Sequence, residues 1–353
     1  MPAETPVLRL EGLSKTFTLG RLGRRRVVRA VNEVNLEVFP GEIVGLVGES
    51  GSGKTTLALL VEQLYTRSAG TIEIDGKPYP PKLNKKQTLL LRKNVQMVFQ
   101  DPYASLNGAH TVRYILSRPL SVHKLANGRK IDERVSGLLA QCGLWPPEEF
   151  LDKFPHQLSG GQRQRVGIAR ALAVEPKLIL ADEPTSMLDV SIRLDIMNLI
   201  LDLKEQQHIS FLFITHDLAG AHYVADRIAV MYAGHIVELG SSDDVVNTPL
   251  HPYTQLLSQA APDPERVFEP LALREDQIQN EMLPEKGCPF APRCPFVKPE
   301  CREALPPLIP VGAGRSVRCV LYGASGAQVP VGASREPSRE GTSTEQSGGA
   351  EVP

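Results

Sequence analysis

A glycine-rich run at residues 48–55, Gly-Glu-Ser-Gly-Ser-Gly-Lys-Thr, has the residue types and the spacing that bind a triphosphate. Its glycines allow successive backbone N–H groups to point at one anion, beside the positive end of the following helix. Lys54 can reach the outer phosphates, and the Thr55 hydroxyl can bind Mg²⁺. An apolar run precedes the motif and a helix-like run, residues 56–65, follows it, which argues against a chance glycine-rich turn. We therefore predict a site for a nucleoside triphosphate and Mg²⁺ that uses Gly48, Ser50, Gly51, Gly53, Lys54, Thr55 and Thr56.

Two further runs carry groups that could complete phosphate chemistry. Asp182 and Glu183 follow the apolar run 178–181, so that Asp182 can join the Mg²⁺ shell and Glu183 can polarise an attacking water. At a predicted helix start, Ser159 can act as the N-cap while the two glycines after it expose backbone N–H groups, which makes a second anion site. The simpler alternatives are a solvated pair of loop acids and a plain helix cap.

The elements that must position these groups alternate between strand-like and helix-like from residue 7 to about residue 240, as in a doubly wound α/β core. The most apolar runs, 178–181 and 211–215, are predicted to be central parallel strands. Strand signals are absent from 100 to 157, where we expect an inserted helical subdomain with a helix over 132–142. The predicted strands cover residues 7–17, 34–39, 43–47, 71–74, 95–99, 178–181, 211–215 and 228–232.

Composition limits the partners. The 353 residues are 42% hydrophobic, which is ample for a core, and a net charge of −1 gives no reason to expect nucleic acid or an anionic membrane as the main partner. A basic cluster at residues 21–29 lies between two strand-like runs and favours a solvated hairpin tip over a nucleic-acid or lipid patch. We find no apolar run of bilayer-spanning length and no signal region, and we expect the chain to stay in the cytoplasm.

In this order along the chain, the motifs resemble those of the ATP-binding cassette (ABC) family, with Leu-Ser-Gly-Gly-Gln at 158–162 as the discriminating run. The resemblance implies a P-loop NTPase cassette with a RecA-like core, an N-terminal antiparallel β subdomain and an inserted helical subdomain. It also implies a dimer in which ATP bound by one subunit is closed in by four residues of the other, Ser159, Gly160, Gly161 and Gln162.

The same resemblance assigns roles to four more residues. Gln100 matches the Q-loop, which senses Mg²⁺ and the attacking water, and His216 matches the switch histidine at the γ-phosphate. Asp189 matches the D-loop, which communicates across the dimer, although Met187 replaces the more usual alanine. Phe17 stands where the family places an aromatic ring on adenine. Alone, His216 would be a structural histidine and Phe17 a core residue.

Three runs narrow the resemblance to the importers of oligopeptides and dipeptides: residues 100–107, 154–157 and 251–254. Gly108 departs from the proline usual after the first of them. The narrower resemblance implies an ATP hydrolase peripheral to the cytoplasmic face of a bacterial inner membrane, with a second cassette, two transmembrane permease subunits, an extracytoplasmic solute-binding protein, and no nucleic acid as partners. Importers of oligosaccharides or nickel are the nearest alternative.

Two rival classes make different predictions. A cassette ATPase of DNA or ribosome maintenance would carry a long coiled coil or tandem cassettes, and a regulatory subunit would have lost Glu183, His216 or part of the 158–162 run; neither pattern is present.

We predict a cassette at 1–250, with its helical subdomain at about 101–170, and a C-terminal extension at 251–322. The residues at 323–353 lack aromatic side chains and are predicted to be a disordered tail.

Four cysteines lie in the predicted extension, and in a reducing compartment such a cluster indicates metal rather than disulfides. Zinc knuckles pair cysteines two to four residues apart, and none is that close here, so the spacing favours an iron–sulfur cluster. The segment also resembles the C-terminal cysteine module of oligopeptide-type cassettes, for which a [4Fe–4S] cluster is implied; four free thiols are the alternative. Because the phosphate loop is more than 200 residues away in sequence, we expect nucleotide binding to be independent of this module. The four cysteines are Cys288, Cys294, Cys301 and Cys319.

Overall fold

The computed structural model describes residues 5–19, 26–260, 284, 286–312 and 314–322. Its strands are β1 (Leu8–Leu19), β2 (Arg26–Val38), β3 (Ile43–Val47), β4 (Ala69–Ile74), β5 (Lys77–Pro78), β6 (Val95–Val98), β7 (Leu178–Asp182), β8 (Ser210–Thr215), β9 (Arg227–Tyr232), β10 (His235–Ser241), β11 (Ile309–Gly312) and β12 (Arg315–Val317). Its α-helices are α1 (Lys54–Val61), α2 (Lys85–Asn94), α3 (Pro102–Ser105), α4 (Val112–Val122), α5 (Arg129–Gln141), α6 (Glu148–Leu151), α7 (Gly160–Leu172), α8 (Val190–Gln207), α9 (Leu218–Val224), α10 (Ser242–Asn247), α11 (Pro252–Ala260) and α12 (Glu300–Glu303).

The strands form two sheets. A small antiparallel sheet has the order β2-β1-β4-β5, and a larger one has the order β11-β12-β10-β9-β3-β8-β7-β6. In the larger sheet the run from β9 to β6 is parallel, and every residue of β3, β7 and β8 is buried, which confirms the prediction of central parallel strands from their apolar runs. Strands β1 and β2 pair antiparallel up to Leu19 and Arg26, so the hairpin around the basic cluster is confirmed. Its tip, residues 20–25, lies outside the described residues.

Alternating side chains of the central strands divide the interior into two cores. On β3, Val44 and Leu46 pack toward the small sheet and α1, while Ile43 and Val47 pack toward the helices on the other face. The same period of two holds on β8, where the two phenylalanines face the helices and the neighbouring leucine and isoleucine face the small sheet. The parallel sheet is thus covered on both faces, and ligands of such sheets bind at the carboxyl ends of the strands.

Helices α3 to α7 lie between β6 and β7 in the chain, in the segment where strand signals are absent from the sequence. Thr111 caps α4 and Ser159 caps α7, each through its side-chain oxygen. The apolar faces of α4, α5 and α7 meet one another, and Leu116, Leu139 and Val166 are fully buried. These helices therefore pack through a core that is continuous with one face of the parallel sheet.

The extension after residue 250 is built into the same sheet. Strand β12 pairs with β10 and β11 pairs with β12, so a short hairpin from the C-terminal segment forms one edge of the larger sheet. Tyr253, Cys288 and Phe290 belong to the same hydrophobic core as Val47 of β3. The extension therefore shares a core with the nucleotide-binding sheet, and the independence of nucleotide binding from this module stays a prediction. The predicted tail, 323–353, lies outside the described residues, and no helix in the described part of the chain has the length and apolar character needed to span a bilayer.

Candidate nucleotide-binding site

The phosphate loop joins the end of β3 to the start of α1. Gly51 has φ 82° and Gly53, the N-cap of α1, has φ 109°, values that favour glycine. A Cβ atom at Gly48 would overlap the carbonyl oxygen of Met231, and one at Gly53 would overlap that of Ala30. The loop is thus pressed against the backbones of β9 and β2, and only glycine permits this approach.

Around the loop lies an open cavity of about 670 Å³, a size typical of a small-molecule site. The carboxyl ends of four parallel strands supply most of its functional side chains, which the sequence had indicated one motif at a time. The predicted residues that line it are Ser50, Gly51, Gly53, Lys54, Thr55, Thr56, Gln100, Glu183 and His216. The residues that sequence reasoning missed are Val28, Arg29 and Ala30 of β2, Glu49 of the loop, Ala233 and Gly234 of the β9–β10 turn, and Leu257 of α11.

Lys54 is the buried cation of the site, with 5% of its surface exposed. Its Nζ donates hydrogen bonds to the carbonyl oxygens of Gly48 at 2.7 Å and Glu49 at 3.0 Å. Burial lowers its pKa, and the charges of Glu183 and Asp182 oppose that shift. An ammonium group held only by carbonyl oxygens can exchange them for phosphate oxygens, which satisfy the same donors and supply charge.

The Mg²⁺ residues predicted from separate motifs lie together. The Thr55 hydroxyl, at the start of α1, donates to Asp182 Oδ1 at the end of β7, at 3.2 Å. Burial raises the pKa of Asp182, the Thr55 hydrogen bond opposes this shift, and the charge of Glu183 adds to it. A hydroxyl and a carboxylate are the oxygen ligands that Mg²⁺ takes, and a divalent cation there would stabilise the ionised acid. The donor set therefore fits Mg²⁺.

Glu183 is held between two other loops. Gln100 Nε2 donates to Glu183 Oε2 at 2.9 Å, and His216 Nδ1 lies 3.3 Å from Glu183 Oε1. The Glu183 backbone has φ 45°, in the left-handed region, and its N–H donates to the Ile214 carbonyl of β8 at 2.8 Å. This turn directs the carboxylate into the cavity instead of along the strand. A carboxylate so placed can accept a proton from a water beside the triphosphate.

Gly48 and Asp182 contact Lys54 and Thr55 without lining the cavity themselves, and three further sets of predicted residues do not line it. Phe17 is half-buried and packs edge-on against Tyr65, with ring centroids 5.4 Å apart, while Lys15 Nζ lies 4.8 Å from the Phe17 centroid. Val28, which pairs with Phe17 across the β1–β2 hairpin, lines the cavity instead. Asp189 is the exposed N-cap of α8 and makes no side-chain cap hydrogen bond.

The third set, residues 159–162, starts α7 away from the phosphate loop of its own chain. The Ser159 Oγ accepts from the Gln162 N–H at 3.2 Å, and Gln162 Oε1 accepts from the Ser159 N–H at 3.0 Å. This reciprocal capping box is the local role expected of a plain helix cap. Gly161 lies against Ile192 of α8, where a Cβ atom would approach the isoleucine side chain to 2.6 Å.

The four cysteines of the extension surround one small cavity of about 10 Å³, which Phe290 and His251 also line. Within the described ranges, no group of three or more His, Cys, Asp or Glu side chains has the geometry to hold a metal ion. Cys142 is buried in the helical region, where burial raises the pKa of its thiol to about 12, and it packs as an apolar residue.

The fold and the cavity together define an ATP-binding cassette ATPase. Two solved structures share the fold. The ATP-binding cassette MJ0796 in a dimeric post-hydrolysis state bound to ADP and Pi is 32% identical, with a TM-score of 0.60 over 67% of this chain and 98% of that one. The cbiO1 protein from Clostridium perfringens, part of the ABC transporter complex cbiONQ, is 29% identical, with a TM-score of 0.60 over 69% of this chain and 92% of that one.

Sequence comparison gives the family. The family model "ABC transporter" matches residues 31–186, and "Oligopeptide/dipeptide transporter, C-terminal region" matches residues 237–301. The oligopeptide transport ATP-binding protein AppF of Bacillus subtilis (strain 168) is 40% identical over 90% of this chain and 97% of its own length. OppF of Streptococcus mutans is 47% identical over 74% of this chain and 84% of its own length. The chain belongs to the oligopeptide-transport family of ABC ATP-binding proteins and is an ATP hydrolase, which confirms the resemblance.

Proposed function

We propose that this chain is the ATPase subunit that energises a bacterial ABC importer of oligopeptides or dipeptides. The observation that carries the catalytic part is the convergence of Lys54, the Thr55–Asp182 pair and the Gln100–Glu183–His216 group around one cavity. The peptide substrate is supported by the names of the relatives and by the C-terminal family match. Importers of oligosaccharides or nickel remain the nearest alternative for the solute.

In this proposal the residues divide the work of phosphoryl transfer. The loop N–H groups and Lys54 bind the β- and γ-phosphates, and Thr55, Asp182 and Gln100 hold Mg²⁺, which when bound neutralises charge that develops on the phosphates. Glu183 accepts a proton from the attacking water, and Gln100 and His216 keep its carboxylate oriented. Phe17 supports adenine from the rim of the hairpin, across from Val28.

We further propose that two cassettes enclose two ATP molecules. Ser159, Gly160, Gly161 and Gln162 are outside the cavity of their own phosphate loop, as a group that serves the other subunit would be. The N-terminus of α7 offers N–H groups and a positive dipole end to a γ-phosphate. The exposed Asp189 and Met187, next to the catalytic turn, would communicate across this interface.

The proposed partners are a second cassette, identical or related, two transmembrane permease subunits, and an extracytoplasmic solute-binding protein that acts through them, with no nucleic acid. The chain would lie at the cytoplasmic face of the inner membrane. The test is purification of the intact complex and its reconstitution in liposomes, with ATP on the side of the membrane that carries the cassettes. We expect saturable uptake of labelled peptide that requires ATP and stops in the Lys54→Ala variant. ATP-dependent uptake of nickel or an oligosaccharide, with no peptide uptake, would contradict the proposed solute.

We also propose that Cys288, Cys294, Cys301 and Cys319 hold a [4Fe–4S] cluster with a structural or regulatory role. The proposal is supported by the donor set, because four thiols line one cavity with largely apolar walls. A single zinc ion would need all four sulfurs about 2.3 Å from one point. The spacing of these cysteines, none of which are two to four residues apart, favours a cluster over zinc.

Anaerobic purification tests this proposal. We expect brown protein with iron and acid-labile sulfide, both strongly reduced in Cys294→Ser and unchanged in the matched control Cys142→Ser, because Cys142 lies outside the cysteine cavity. Zn²⁺ is colourless. Stoichiometric zinc, or four titratable thiols with no metal in protein kept from oxygen, would refute the cluster and leave the transporter proposal intact.

A further inference from the structure

Glu49, the second residue of the phosphate loop, is held at three of its polar groups. Its backbone N–H donates to Tyr253 Oη at 2.7 Å. Its carboxylate accepts two hydrogen bonds of 2.8 Å from the two terminal nitrogens of Arg293. Its carbonyl oxygen accepts from Lys54 Nζ. Two of these three contacts come from the C-terminal extension, although Arg293 is 244 residues away in sequence.

The two extension residues are themselves rigidly placed. Tyr253 is fully buried in the first turn of α11, and its ring centroid lies 4.5 Å from that of Tyr232 and 5.5 Å from that of Phe290. The Arg293 guanidinium lies 5.6 Å from the Phe290 centroid and 5.8 Å from that of Tyr232. Because Tyr232 ends β9, this aromatic cluster connects the extension to the central sheet. The cluster therefore presents a hydroxyl and a guanidinium to the loop in fixed positions.

The geometry points to Arg293 and Tyr253 as positioning residues for ATP binding. A bidentate guanidinium–carboxylate pair fixes both the position and the plane of the Glu49 side chain, and the Tyr253 hydroxyl fixes the peptide that follows Gly48. Arg293 and Tyr253 thereby immobilise the Glu49 carbonyl oxygen, which accepts a hydrogen bond from Lys54 Nζ. Since Leu257 of α11 also lines the nucleotide cavity, the extension forms part of its wall.

This inference rests on the proposed nucleotide site, and it predicts a change in the affinity for ATP with no change in the rate of the chemical step. The residues that hold Glu49 are separate from Gln100 and His216, which hold Glu183. Loss of the Arg293–Glu49 pair should therefore weaken phosphate binding in the ground state and the transition state alike. Such a loss of uniform binding raises KM and leaves kcat unchanged. A merely structural salt bridge between the extension and the cassette would instead lower the melting temperature and leave KM for ATP unchanged.

The test uses the full chain in its assembled complex, with steady-state ATPase kinetics and equilibrium binding of labelled ATP. For Arg293→Ala we expect KM and Kd for ATP to rise roughly three- to tenfold with kcat within about twofold, because the pair is charge-assisted but partly exposed. Arg293→Lys, which keeps the charge and loses the fork, should fall between Arg293→Ala and the parent. Tyr253→Phe removes only the hydroxyl and should also raise KM. Arg302→Ala, an exposed residue of α12, is the matched control and should be unchanged.

A double-mutant cycle completes the experiment. If Arg293 acts through Glu49, the Glu49→Ala/Arg293→Ala double variant should bind ATP no more weakly than Glu49→Ala alone. Additive losses, or an Arg293→Ala variant with parental KM and a lowered melting temperature, would overturn the positioning role while the ATP site stands. A parent protein that binds no ATP, or whose binding survives Lys54→Ala, would refute the site itself and the inference with it.

Discussion

Replacement of Glu183 by glutamine is the most direct test of the proposed chemistry. Glutamine has the shape of glutamate, and its amide oxygen can still accept the hydrogen bond that Gln100 Nε2 makes to Oε2 at 2.9 Å. What it loses is basicity, so it cannot take the proton of the attacking water. The groups proposed to bind the triphosphate, Lys54 and the Thr55–Asp182 pair, are unchanged.

The expected effect is therefore large on turnover and small on binding. A positioned general base contributes roughly 10²- to 10⁴-fold to a rate, which corresponds to about 3 to 5 kcal/mol of transition-state stabilisation. We expect kcat of Glu183→Gln to fall by that factor, with Kd for Mg–ATP within about threefold of the parent, because no group proposed to contact the phosphates is removed.

The assay is steady-state ATP hydrolysis by the assembled complex, combined with equilibrium binding of ATP. Glu205→Gln is the matched control, since Glu205 is exposed on α8 and distant in sequence from the catalytic turn. Turnover of Glu183→Gln within tenfold of the parent would assign proton acceptance to another group. A loss of ATP binding equal to the loss of turnover would show that Glu183 acts on substrate affinity and not on chemistry.

Two further predictions follow from the site and from a buried acid behind it. If two copies of this chain pair, a mixture of Ser159→Arg and Lys54→Ala chains should form one intact ATP site per heterodimer. The readout is ATP-dependent association that neither pure variant shows. Absence of ATP-dependent association with either an identical or a related cassette would contradict the proposed dimer that encloses ATP. Burial raises the pKa of Glu62 from 4.5 to about 7, so the folded state binds the proton of this carboxyl group more tightly than the unfolded state. The stability that this proton contributes is complete below pH 4.5 and is lost as the pH rises to about 7. Glu62→Gln should thus increase the free energy of unfolding more at pH 8 than at pH 5.5, by on the order of 3 kcal/mol or less, and its melting temperature should rise more at pH 8. Glu205→Gln should show no such pH dependence. Equal shifts at both pH values would contradict the buried-acid interpretation.

The proposed catalytic centre could be predicted from sequence because each of its parts is local. The phosphate loop, the Asp182–Glu183 pair and the polar residues after β6 and β8 each follow an apolar strand. Parallel strands bring their carboxyl ends to one edge, so four separate motifs become one cavity once the strand order is set. The prediction needed only the type of each element and not its exact length.

The rest of the cavity wall depends on contacts that no local pattern encodes. Val28, Arg29 and Ala30 reach it because the register of the β1–β2 hairpin places them there, and Gly234 reaches it through a turn between β9 and β10. Strands β11 and β12 are short, and β11 contains a proline and a glycine. They owe their strand geometry to pairing, β12 with β10 and β11 with β12. A sequence window sees none of these partners, so these strands could not be predicted.

The contact between Arg293 and Glu49 changes how the cysteine module should be understood. Arg293 lies in the turn 291–293, which is closed by backbone hydrogen bonds from Ala291 N–H to the Cys288 carbonyl and from Arg293 N–H to the Phe290 carbonyl, both 3.0 Å. The next residue is Cys294, so two of the four cysteines bracket the residue that holds the phosphate loop. Phe290 lines the cysteine cavity on one side and packs against Tyr253 on the other. Any change in the spacing of these cysteines would therefore be transmitted through one short turn to Glu49, which joins the two sites physically despite their separation in sequence.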